Sequence, residues 1–217
     1  MSKLSKLIAE LCPNGVEYKK FVDCCSYIRG VTYSKSQEIH DSIDGWKVLR
    51  ANNIVLGSYK VNYDDVKIIS KNVKVRENQF LYKGDILICA GSGSKEHVGK
   101  VAYISEDSEY TFGGFMAVIR VKDGLNSRFL FHVLTGGSFV NYLRTALNST
   151  TINNLSATVM ADFEIPLPPL EIQSEIVKIL DNFAELTAEL TAELEKRKKQ
   201  YEHYRDMLLN FTGGGQI

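Results

Sequence analysis

The run Ile165–Phe183, IPLPPLEIQSEIVKILDNF, divides the chain in two. Three of the chain's four prolines, Pro166, Pro168 and Pro169, crowd into one short span. They force extended backbone and remove amide donors, so a sheet cannot continue through them. Pro169 stands where a helix can begin, and Glu171 and Glu175 follow in its first turns, where the helix dipole favours acids. From Glu171 to Phe211 there is no Gly or Pro. At about 1.5 Å per residue this reads as one helix about 60 Å long.

Heptad spacing gives that helix a job. Ile176, Phe183, Leu190, Arg197, Tyr204 and Phe211 recur every seven residues, with Leu180, Thr187, Leu194, Tyr201 and Leu208 four residues on. A helix of that length outruns a small domain, so its far half calls for a partner helix. The expected contact stripe is Ile176, Phe183, Leu190, Leu194, Tyr201, Tyr204 and Leu208. The competing reading is a helix folded back on the domain core. Within it, Glu185–Leu194 reads ELTAELTAEL, a four-residue unit repeated.

Upstream, the pattern is that of a single α+β domain. Residues 2–10 suggest a short amphipathic helix ended by Pro13-Asn14-Gly15. From Val16 to Val121, short runs rich in Val, Ile and Tyr predict strands of four to seven residues, among them Trp46–Arg50, Ile86–Ala90, Val98–Ile104 and Phe115–Val121. Asn126–Leu147 shifts to helical period and breaks at Gly136-Gly137; Thr150–Pro168 returns to loop, short helix and strand. The organisation predicted is a sheet-rich domain over 1–168, a long helix over 169–211 and a tail, 212–217.

Composition narrows the function. The 217 residues are 44% hydrophobic and 10% aromatic, enough for a real core. No apolar run approaches the roughly 18 residues of a membrane span, and the N-terminus has no apolar signal region. Cys12, Cys24, Cys25 and Cys89 lack metal-ligand spacing, so reduced thiols in a cytoplasmic protein are expected. Net charge is zero, split as +3 over residues 1–170 and −3 over 171–217. That split permits a nucleic-acid surface on the domain and disfavours one on the helix.

Catalytic motifs are missing. Gly91–Lys100, GSGSKEHVGK, fails as a phosphate loop because its spacing is one residue long and Val101 stands where Ser or Thr should bind magnesium. No G-x-G-x-x-G opens a helix, and Thr111–Phe115, TFGGF, is too short a glycine signal for a nucleotide site. His40, His97, His132 and His203 are scattered, without metal or triad partners. No enzyme, metal or cofactor is expected.

What stands out instead is a set of loops mixing Gly, Ser, Asn and basic residues: Arg29–Lys35, Arg50–Asn53, Gly91–Lys100 and Ser149–Asn154. Arg and Lys suit phosphate or guanine, Asn suits adenine, and Ser and Thr suit either. Candidate DNA contacts are therefore Arg29, Lys35, Arg50, Asn52, Asn53, Ser92, Ser94, Lys95, His97, Lys100, Thr150, Thr151 and Asn153. Any one such loop is ordinary surface; four in a small domain point to DNA binding.

Several motifs resemble those of type I restriction–modification specificity subunits. Thr150-Thr151-Ile152, Asn154-Leu155, Ile165–Pro169 with Gln173, and Ile176-Val177-Lys178-Ile179-Leu180-Asp181 are similar to that family's domain–helix junction. Lys198–Leu209, KKQYEHYRDMLL, resembles the far end of its helix; Leu81–Ile88, LYKGDILI, and Gly99–Ala102 resemble a strand and glycine loop further upstream. The resemblance implies a non-enzymatic DNA-reading subunit. Its partner would be double-stranded DNA, with the recognition domain reading half of a split site in the major groove and paired helices as the ruler. Methyltransferase subunits carrying S-adenosylmethionine would dock on it, and a motor–nuclease subunit would join for cleavage. The usual subunit has two recognition domains and two helices; this chain shows one of each. That implies a homodimer or pairing with a second half-subunit through the helix, or a spare cassette. The alternative is a scaffold or decoy that holds methyltransferase subunits without reading DNA.

Overall fold

Ser2 caps the first helix, α1 (Lys3–Leu11), by accepting the Ser5 amide at 3.1 Å, and the chain turns at Pro13-Asn14. In this computed structural model, which describes residues 2–39, 44–55, 57–148 and 154–210, a strand-rich stretch follows. β1 (Tyr18–Lys20) leads through the single turn α2 (Phe21–Cys24) into β2 (Cys25–Arg29), β3 (Glu38–Ile39), β4 (Trp46–Leu49) and β5 (Lys67–Ile69). β6 (Ile86–Cys89), β7 (Val101–Tyr103), β8 (Tyr110–Phe112) and β9 (Met116–Val121) complete it. Then come α3 (Ser127–Thr135), α4 (Gly137–Asn148), α5 (Ala157–Ala161), β10 (Glu164–Pro166) and the long α6 (Leu170–Leu209). The fold is α+β.

Two four-stranded sheets carry the domain, in the orders β2-β9-β6-β7 and β3-β5-β4-β8, and β1 pairs with β10. The first sheet is antiparallel throughout; in the second, β4 and β8 run parallel. Successive strand residues face opposite ways, and both faces of β6 are buried. Leu87 and Cys89 join Leu49, Phe112, Met116 and Val118 in a core shared by both sheets. On the domain's helical side, the Phe131 ring of α3 meets Tyr103 of β7 edge-on at 5.8 Å.

The strands run shorter than their apolar runs suggest. Across Val98–Ile104, for example, only Val101–Tyr103 is strand. Gly99 sits at φ +86°, a left-handed conformation that turns the chain before pairing can begin. Glycine also shapes the stretch LYKGDILI: Gly84 has φ +88°, and buried Asp85 then accepts from Arg120 Nε and Nη2 at 2.8 and 2.9 Å. These motif residues build the scaffold.

So does Gln173. Fully buried, it accepts the Asn126 amide at 2.8 Å and donates to the carbonyls of Pro168 at 2.8 Å and Gly124 at 3.0 Å. Asn126 is itself the cap of α3, accepting the amides of Arg128 and Phe129. Glu175 adds an ion pair with Lys3 at 2.6 Å. The first compact unit accordingly runs Met1–Glu175, past the 168/169 boundary that the prolines mark, and the second is Ile176–Ile217.

α6 is continuous over 40 residues. Near its middle the repeat threonines bond back along the helix, Thr187 Oγ1 to the Phe183 carbonyl at 2.7 Å and Thr191 Oγ1 to the Thr187 carbonyl at 2.8 Å. Arg197 pairs with Glu193 one turn earlier. Of the expected contact stripe, Ile176 is half-buried; Phe183, Leu190, Leu194, Tyr201, Tyr204 and Leu208 are exposed. The tail 212–217 lies outside the described residues.

Candidate nucleic-acid interface

Strand direction gathers the loops. β2 and β6 both pair antiparallel with β9, so they run parallel to each other and their C-terminal ends share one edge. β4 and β8 are parallel neighbours and likewise end together. A bridge between Val31 and Gly113 joins the two sheets at these ends. The segments after β2, β4, β6 and β8 therefore meet.

Backbone hydrogen bonds lock them. The Val31 amide donates to the Phe112 carbonyl at 2.7 Å, and the Gly113 amide to the Leu49 carbonyl at 2.9 Å. The amides of Ala90 and Gly91 both donate to the Phe115 carbonyl, at 2.8 and 2.9 Å. Gly30 is required at this crossing, since a Cβ there would lie 2.2 Å from the Gly113 carbonyl oxygen. Between the loops opens a cleft of about 490 Å³, rimmed by Thr32, Lys35, Asn52, Ser92 and Phe115.

The sequence-predicted residues divide sharply. Lys35 and Asn52 are exposed at the cleft, and half-buried Ser92 lines it, its hydroxyl accepting the Ser94 amide. Arg50 also lines it, donating through Nη2 to Asp65 Oδ2 at 2.8 Å. Arg29 staples the loops: Nη2 donates to the Gly114 carbonyl at 2.7 Å, and Nη1 to Asn154 Oδ1 at 3.2 Å. Asn154 also bridges Gly91, which sets the flank of the fourth loop beside the others. Thr150, Thr151 and Asn153 themselves, and the side chain of Lys95, lie outside the described residues.

Two candidates are corrected. Asn53 is 1% exposed and spends its amide inside the fold. Its Oδ1 accepts the Arg50 amide at 2.8 Å, and Nδ2 donates to the Asn62 and Asp65 carbonyls. A base edge cannot reach it. Lys100 donates to the carbonyls of Ala51 and Ile54, both at 2.9 Å, and burial pushes its ammonium below the usual lysine range. It pins one loop to another. Ser94 is exposed and His97 half-buried, but Glu96–Lys100 turns toward a second, mainly apolar groove of about 500 Å³ alongside α4.

Residues the sequence did not single out complete the surface. Phe115, in the dismissed TFGGF turn, is 72% exposed at the cleft. Lys74 and Arg76, both exposed, line a small pocket with Gly30, Val31 and Thr32. Their signal was faint: the segment KNVKVRENQ reads as a solvated turn unless the β2 loop is known to lie beside it. Among the described residues, no group of three or more His, Cys, Asp or Glu side chains could hold a metal ion.

The loops after β2, β4, β6 and β8 thus meet around one cleft, and a long helix follows the domain in the chain. The family model for the type I restriction modification DNA specificity domain matches residues 13–197, and the chain belongs to this family. Among its relatives is the EcoKI specificity subunit of Escherichia coli K12, 33% identical over 185 residues, or 85% of this chain and 38% of the relative. The StySPI specificity subunit of Salmonella potsdam is 30% identical over 191 residues, 88% and 41% of the two chains. A solved chain from a type I R-M complex superposes with a TM-score of 0.69 at 20% identity, covering 95% of this chain and 50% of that one. The HsdS subunit from Thermoanaerobacter tengcongensis gives 0.60 at 21%, covering 88% and 44%. This chain thus spans about two fifths of those curated relatives' length. No helix of the described residues is long and apolar enough to cross a membrane.

Proposed function

We propose that the chain is the sequence-reading part of a type I restriction–modification specificity subunit, without catalytic activity of its own. The observation that carries this reading is the cleft itself. Loops from two sheets, tied by backbone bonds, present Lys35, Asn52 and Ser92 on one edge, with Lys74 and Arg76 beside it. Cations at the margin suit phosphates, which fix register; the amide and hydroxyl inside suit base edges, which carry sequence.

The domain reads one half of a split double-stranded site. α6 pairs with a second copy or a second half-subunit, and its length sets the gap between half-sites. Methyltransferase subunits, carrying the S-adenosylmethionine, dock on this frame, and a motor–nuclease subunit completes the cleaving assembly. The complex works in the cytoplasm.

Purifying the chain with its methyltransferase partner and mapping methylated positions by sequencing tests this reading. A bipartite motif whose two halves are separated by a fixed gap is the expected result. Methylation without sequence preference, or none, overturns it. Duplex titration at several salt concentrations adds a second measure, since a specific reader loses affinity steeply with salt yet keeps its preference.

A further inference from the structure

Phe115 is the most exposed large apolar side chain among the described residues, at 72%. Single exposed apolar residues are common on protein surfaces and need no explanation by themselves. This one differs in how its backbone is held. Three successive carbonyls are occupied: Gly113 by the Met116 amide at 2.7 Å, Gly114 by Arg29 at 2.7 Å, and Phe115 by the Ala90 and Gly91 amides. A fixed backbone presents a ring with only two torsions to order on binding, the arrangement that costs a binding surface least.

The same cleft is lined by Asn52, whose amide orientation is also set. Its Nδ2 donates to Asp65 Oδ2 at 2.8 Å, and a carboxylate can only accept, so the nitrogen must face Asp65. One N–H and the Oδ1 acceptor are left for a ligand. Adenine offers the matching pair in the major groove, N7 as acceptor and N6 as donor; its partner thymine adds a 5-methyl group that apolar side chains contact. The two arginines nearby are committed elsewhere, Arg50 to Asp65 and Arg29 to Gly114 and Asn154, which leaves neither poised to fork a guanine.

We propose that this cleft selects an A·T base pair in the major groove, with Phe115 packed on the thymine 5-methyl group and Asn52 bonded to adenine. The inference rests on the DNA-reading function proposed above and names the residue and base pair that serve it. Phe115 is then a specificity residue that carries no charge and makes no hydrogen bond through its ring.

The test is selection from random duplexes by the full chain purified with its methyltransferase partner, comparing wild type with Phe115→Ala. Wild type should select a half-site containing an A·T pair at a position where the variant's preference is weaker, the part due to Asn52 remaining. Replacing that thymine by deoxyuridine removes only the methyl group. Wild type should lose about fourfold in affinity, the equivalent of one buried carbon, and Phe115→Ala should lose nothing further. The deoxyuridine comparison in wild type needs no variant, so it stands whatever the substitution does to folding. An unchanged motif in Phe115→Ala, or an equal uracil penalty in both proteins, overturns the inference while leaving the reading function intact. A wild type that selects no motif overturns both.

Discussion

Ile172 and Phe183 lie on one continuous helix, yet the first is 1% exposed and the second 64%. The domain satisfies itself: its large apolar residues fill a core between two sheets, and Gln173 closes the junction with three hydrogen bonds. Beyond Ile176 the apolar residues keep heptad order, but Leu190 and Leu194 stand 71% and 55% exposed. A stripe maintained at that spacing and left in water is the sequence of a helix that expects another. One region is finished by its own chain, and the other is the one proposed to be finished by a partner.

The comparison is broken most drastically by charging the stripe. Leu190→Glu combined with Leu194→Glu should abolish helix association, leaving a monomer in sedimentation equilibrium whose domain melts as in wild type. A wild-type chain that is monomeric at every concentration, with or without methyltransferase, would remove the idea of homodimerisation. Next in size is Gln173→Ala, which strands buried polar groups of Asn126, Gly124 and Pro168. A loss of about 2–4 kcal/mol in urea unfolding is expected, followed by the fluorescence of Trp46. Gln200→Ala, on the exposed half, should stay within about 0.5 kcal/mol.

Neighbouring asparagines sharpen the same contrast at the site. Asn53→Ala should cost about 1–3 kcal/mol of stability, because Asn53 is a structural brace. Asn52→Ala should leave stability alone and relax base preference by about 1–3 kcal/mol, read from competition between duplexes. Lys35→Ala should weaken binding to every sequence alike and flatten the salt slope by about one unit.

The smallest energetic effect belongs to the ELTA repeat. Inserting Thr-Ala-Glu-Leu after Leu194 adds about 6 Å of helix and a net turn of about 40°. One base pair adds about 3.4 Å and about 35°. With both helices of a homodimer lengthened, the gap of the methylated site should grow by one or two base pairs at unchanged half-sites and similar affinity. Methylation confined to the original gap would show that this helix is not the ruler.

Much of this was legible in the sequence. The proline cluster and the unbroken stretch after it announced α6, and the run from Ile86 announced a strand. The loops were legible as a group but not residue by residue. Arg50, Asn52 and Asn53 looked like three equal candidates, although Asn53 turns inward to hold the Arg50 amide. The same device recurs where Gln37 accepts the Ser34 amide and Gln79 the Arg76 amide. An amide three residues after a turn begins is a bracing signal, and it competes with base reading for the same residue type. Phe115 was hidden for the opposite reason, since a lone aromatic inside a β-rich run is most often core.

The way the cleft is assembled has a consequence for how such a protein changes its target. Val31 to Phe112, Gly113 to Leu49, and Ala90 and Gly91 to Phe115 are bonds between main-chain atoms. They do not depend on which side chains the loops carry, apart from the glycine at position 30. Substitutions at Thr32, Lys35, Asn52, Ser92 or Phe115 therefore alter the chemistry that the cleft presents without dismantling the frame. A molecule organised in this way can drift from one recognition sequence to another through folded intermediates, and retargeting it by design becomes a matter of repopulating five positions.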